Sequence, residues 1–60
     1  MMAKQRAALA TLNENIADMT RTANRIGEAN NWSGDMYDAI SADLQKWKEV
    51  RDRLLKHAEA

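Results

Sequence analysis

Asn30-Asn31-Trp32-Ser33-Gly34-Asp35 sits almost midway along the sixty-residue chain and decides its fold. It holds one of the two glycines, a run of residues that favour turns, and a Ser followed by acid just ahead of a new apolar period. That combination reads as the end of one helix and the N-cap of the next. With the cap at Ser33, Gly34 and Asp35 become the first helical positions. Asp35 and Asp38 then lie near the positive end of the helix dipole. The same placement puts Trp32 and Tyr37 in the positions of a hydrophobic staple. The expectation is an all-α, antiparallel two-helix hairpin in a single unit: a helix over about 3–29, a turn over about 30–33 and a helix over about 34–57.

Upstream of the turn, Leu9, Leu12, Ile16, Met19, Ala23 and Ile26 recur at alternating steps of three and four. No strand carries that pattern; it is the apolar stripe of a long helix, and its heptad spacing suits packing against another long helix. Gln5 falls on the stripe near its end, where fraying makes a polar residue cheap. Ala3, Ala10 and Ala17 shoulder the stripe on one side, and Ala8, Asn15, Thr22 and Ala29 on the other. Asn13, Asn15, Thr20, Thr22 and Asn24 are weak helix formers, and Gly27 loosens the last turn by about 1 kcal/mol relative to Ala. This helix depends on packing for its order.

Downstream, Met36, Tyr37, Ile40, Leu44, Trp47, Val50, Leu54 and Leu55 continue at the same spacings. The hairpin register sets Ile26 and Ala23 near Tyr37 and Ile40, Met19 near Leu44, Ile16 near Trp47 and Leu9 near Leu54. Leu9, Leu12, Ile16, Met19, Ile26, Met36, Tyr37, Ile40, Leu44, Trp47, Val50 and Leu54 are the expected core or interface. On the polar face, Asp43 with Lys46, Lys48 with Asp52, Glu49 with Arg53, and Asp52 with Lys56 are spaced for ion pairs of about 0.2–0.5 kcal/mol each.

Composition narrows the functional classes. There is no Cys, hence no disulfide staple and no thiolate metal site. The apolar runs fall far short of the roughly 20 residues a membrane span needs, and the N-terminal stretch lacks the apolar core of a signal peptide. Nine basic and nine acidic side chains cancel. That balance argues against a general polyanion binder. The lone His57 lies in the last helical turn, where a cation suits the dipole. Glu14 and Asp18 form an i, i+4 carboxylate pair, but no Glu-x-x-His follows, and no phosphate loop or zinc spacing exists. No catalytic, cofactor or metal residues are expected, and no small-molecule substrate. Lys4, Arg6, Arg21 and Arg25 are the candidate nucleic-acid contacts. Arg21 and Arg25 lie one turn apart on the outer face, with Glu14, Asp18 and Glu28 diluting their charge.

Trp32-Ser33-Gly34 has the form Trp-x-Gly between two amphipathic helices, and here the chain resembles the WXG family of small hairpins exported by type VII secretion. The likeness continues through Met36, Ile40, Leu44 and Trp47. It implies antiparallel four-helix pairing, a place for Trp32 and Gly34 in a composite export signature, and secretion by a non-classical route. The arms here are shorter than that family's. Tyr37 is followed four residues on by Ser41, where the family's Tyr-x-x-x-Asp/Glu motif would need an acid. Without the resemblance, the expected location is cytoplasmic.

One hairpin buries only one stripe per helix, and a chain of this length sits near the lower limit for folding unaided. The sequence therefore points to a non-enzymatic hairpin that pairs with itself or with another helical protein, forming a four-helix bundle. The alternative is a small regulatory or inhibitory protein of phage or plasmid type, binding RNA or DNA through its first helix.

Overall fold

The computed structural model describes residues 2–59, without the side chain of Glu59, and it is a helical hairpin. Helix α1 spans Ala3–Ala29 and helix α2 spans Asp35–Glu59. At the start of α1, Met2 is extended, and the Gln5 side-chain carbonyl accepts the Met2 N–H at 2.9 Å. Gln5 thus satisfies a backbone donor from the third helical position, a role beyond the tolerated polar gap in the stripe. Two of the weak helix formers find local partners. Thr20 Oγ1 donates to the Ile16 carbonyl at 2.7 Å, and Thr22 Oγ1 to the Asp18 carbonyl at 3.0 Å. Helix α1 carries no acid in its first turn and no base in its last, so the dipole contributes little to it. Helix α2 has Asp35 and Asp38 at its start and Lys56 and His57 at its end.

The hairpin is elongated, 41 × 16 × 11 Å, with a radius of gyration of 13.7 Å. A compact domain of this length would have a radius near ~10.4 Å. Among the described residues only Ile16, Ala23 and Gly27 are buried.

The stripe facing α1 keeps Tyr37, Ile40, Leu44, Leu54 and Leu55 of the expected residues but not Met36, Trp47 or Val50. On α2 a half-buried line runs Tyr37, Ser41, Leu44, Lys48, Arg51, Leu55 and Ala58, again at steps of four and three, with Ile40 and Leu54 half-buried beside it. Trp47, expected opposite Ile16, is instead 38% exposed, with Met36 at 67% and Val50 at 43%. These three lie outside the intrachain core. The physical reason is angular: Met36, Trp47 and Val50 stand about a quarter-turn round α2 from the Tyr37–Leu44–Leu55 line, and a single neighbouring helix covers only one such line. Lys48 and Arg51 are half-buried along that line, as long side chains with aliphatic stems allow.

Candidate interaction face and turn

The turn is built by the end of α1. Asn30 closes the helix, its N–H shared between the Ile26 carbonyl at 3.0 Å and the Gly27 carbonyl at 3.3 Å. Its side-chain amide also donates to the Ile26 carbonyl, at 2.9 Å. Asn31 then enters the left-handed region with φ 58°, and the Trp32 N–H reaches back to the Gly27 carbonyl at 2.7 Å. This is the six-to-one hydrogen bond of a Schellman ending, with Asn in the place more often held by Gly. Trp32 is itself left-handed, φ 61°, a conformation that strains a bulky residue.

Two contacts offset that strain. The Trp32 ring lies over Gly27 so closely that a Cβ there would stand 2.9 Å from Cδ2, and nearer still to Cε3 and Cζ3. The ring also meets Tyr37 edge to face, with centroids 5.9 Å apart and planes at 89°. Gly27 therefore does more than loosen the last turn: its bare Cα is the seat of the indole.

Ser33 does not cap α2. Its hydroxyl donates back to the Asn30 carbonyl at 3.2 Å, as its N–H does at 3.3 Å. The first carbonyl of α2 belongs to Gly34, which accepts the Asp38 N–H at 3.0 Å. Gly34 is the N-cap, at φ 100°, a backbone angle that side chains oppose. The helix starts one residue later than expected because Asn31 and Trp32, both left-handed, consume the chain that Ser33 would have used. Trp32 and Tyr37 touch nonetheless, each one place N-terminal of its staple position.

The remaining apolar side chains gather on one face. On α1, half-buried Leu12, Met19 and Ile26 flank the Ile16–Ala23–Gly27 line on one side. On α2, Met36, Ile40, Trp47, Val50 and Leu54 flank the Tyr37–Leu44–Leu55 line. At about 100° per residue, and with the helices antiparallel, both flanks turn to the same side of the hairpin plane. The result is one apolar face, widest on α2 and interrupted there by Asp43. Along its α1 rim stand Ala8, Asn15 and Thr22; along its α2 rim stand Lys46 and Arg53.

The charged candidates are dispersed. Lys4, Arg6, Arg21 and Arg25 are all exposed, but Lys4 and Arg21 are separated by about 25 Å along α1. Arg21 is engaged in an ion pair with Asp18. On α2 the described ion pair is Arg51 Nε with Asp52 at 3.1 Å. The four pairings expected from spacing on that helix are not formed among the described residues. His57 is exposed at the end of α2. Among the described residues no three His, Cys, Asp or Glu side chains converge as a metal set. No described helix is long and apolar enough to cross a membrane. Comparison with protein-family models, curated proteins and solved structures finds no match to the chain.

Proposed function

We propose that this hairpin acts without catalysis, by pairing through its apolar face with a second copy or with another helical protein to complete a four-helix bundle. The observation that carries this reading is the surface left uncovered. The chain exposes 4634 Å² at a mass of 6.8 kDa. A compact monomer of that mass exposes about 3,950 Å². The excess, roughly 700 Å², is close to the ~800 Å² that each partner contributes to an ordinary protein–protein interface. Met36, Trp47 and Val50 stand exposed together on α2. Scattered surface apolar residues need no explanation, but a continuous row with a second apolar row beside it does.

Size-exclusion chromatography with light scattering, together with thermal melts over a dilution series, tests the proposal. A pairing hairpin runs at twice its chain mass and melts at a temperature that falls on dilution. Trp47→Ala should abolish that concentration dependence. Leu44→Ala, on the seam facing α1, should lower stability at every concentration. A helical monomer whose melting point ignores dilution, and which no helical partner stabilises, would overturn the reading.

A further inference from the structure

The geometry points to a second copy of this chain as the occupant of the apolar face, docked so that α2 lies antiparallel on α2 of its partner with the two-fold axis level with Gln45. This rests on the pairing reading above and adds orientation and register to it. In this register each apolar residue of the outer row on α2 gains a counterpart. Met36 meets Leu54 of the partner subunit, Ile40 meets Val50 of the partner subunit, and Trp47 covers Asp43 of the partner subunit. Sliding the partner by one heptad in the direction that brings Trp47 level with the partner's Val50 carries Met36 past the end of the opposing helix. Asp43 would then face an apolar Leu54. The register centred on Gln45 is the one that leaves no member of the row uncovered.

Charge selects the orientation. Asp43 is the single ionised interruption of the Met36–Leu54 row, and Lys46 stands on its rim. With the axis at Gln45, Asp43 of each copy lies at nearly the same height as Lys46 of the other. Two reciprocal ion pairs therefore flank the axis beside the Trp47 rings. A parallel arrangement of the same helices would set Asp43 against the partner's Asp43 and Lys46 against the partner's Lys46. Like charges so placed oppose association. Docking α2 against the partner's α1 fares no better. The α1 side of the face offers Leu12, Met19 and Ile26 with Ala8, Asn15 and Thr22 beside them, and no cation level with Asp43 to answer it.

A mixing experiment decides between these arrangements. Asp43→Lys gives a chain with two cations at the axis, and Lys46→Asp gives one with two anions. Each alone should dimerise at least about tenfold more weakly than the parent. Mixed one to one, they should form a heterodimer of about parental affinity, because both crossings beside the axis then set a cation of one chain against an anion of the other. Asp43 and Lys46 are also neighbours within one helix, but mixing cannot repair an effect that arises within a chain. Analytical ultracentrifugation and circular dichroism are the readouts. Should either single variant prove too unstable to fold, recovery of helix on mixing carries the same information. A dimeric parent whose variants show no preference for each other, or whose mixed pair is tighter than the parent as a parallel docking requires, would overturn the antiparallel arrangement and leave the pairing reading standing. A parent that stays monomeric at every concentration would remove both.

Discussion

Replacing Gly27 by Ala tests the turn most sharply, because two effects of opposite sign compete at one atom. On helix propensity alone the change should stabilise by about 1 kcal/mol, since Gly27 lies inside α1. The new methyl group would occupy the space held by the Trp32 ring, standing 2.9 Å from Cδ2 and nearer to two other ring carbons. Nothing else there can give: the Trp32 N–H is bonded to the Gly27 carbonyl, and the backbone between them is left-handed. The ring must leave its seat. Trp32 is 51% exposed, so roughly half its surface is shielded. For an indole that is about 100 Å², or about 2.5 kcal/mol as an upper bound. Losing most of this and part of the edge-to-face contact with Tyr37 outweighs the propensity gain, for a net destabilisation of about 1 kcal/mol. Removing the ring reverses the sign. In a Trp32→Ala background, Gly27→Ala should stabilise by about 1 kcal/mol, giving a coupling of about 2 kcal/mol between the two sites. Urea titrations followed by far-ultraviolet circular dichroism, all four proteins at one concentration, measure the cycle. Equal stabilisation by Gly27→Ala with and without Trp32 would show that the indole does not rest on Gly27.

Other consequences of the turn and the face are as direct. Ser33→Ala should change stability by less than about 0.5 kcal/mol, because the hydroxyl makes one exposed bond to Asn30 and does not cap α2; a loss of about 1 kcal/mol in the same titration would restore it as the cap. Gly34→Ala meets no atom within 4 Å, yet should cost about 1–2 kcal/mol from the φ of 100° alone. A neutral result at Gly34 would mean that the turn relaxes to another path. Dilution melts of Trp47→Ala and Leu44→Ala separate the outer row from the inner seam, the first losing its concentration dependence and the second its stability.

What the sequence makes legible is set by which interactions are local. The two helices follow from apolar spacing and from the turn cluster, and both signals are written in neighbouring residues. The Schellman ending was also there to be read: an Asn in the left-handed place, an aromatic after it, and a Gly five residues before that aromatic. Its meaning depends on seeing that Gly27 and Trp32 belong together, whereas propensity treats Gly27 only as a defect. The Ser-Gly-Asp run misled for a related reason. A Ser two residues ahead of Asp35 resembles a cap, but two consecutive left-handed residues spend the length that capping needs. Trp32 and Gly34, the residues that carry the likeness to the WXG family, are each accounted for by turn geometry.

The choice of stripe on α2 could not be read the same way. Met36, Ile40, Trp47, Val50 and Leu54 form one row; Tyr37, Leu44 and Leu55 belong to another, one residue further along and so rotated by about 100°. Both have helical period, so apolar spacing alone takes residues from each. The hairpin turns the Tyr37–Leu44–Leu55 row inward, and one neighbouring helix covers one such row. Trp47, about a quarter-turn away, is left 38% exposed beside Met36 and Val50. In the pairing we propose, that outer row is what a second hairpin covers, and Trp47, as its largest side chain, is the anchor, so that its truncation costs the pairing while truncation of Leu44 costs the hairpin itself.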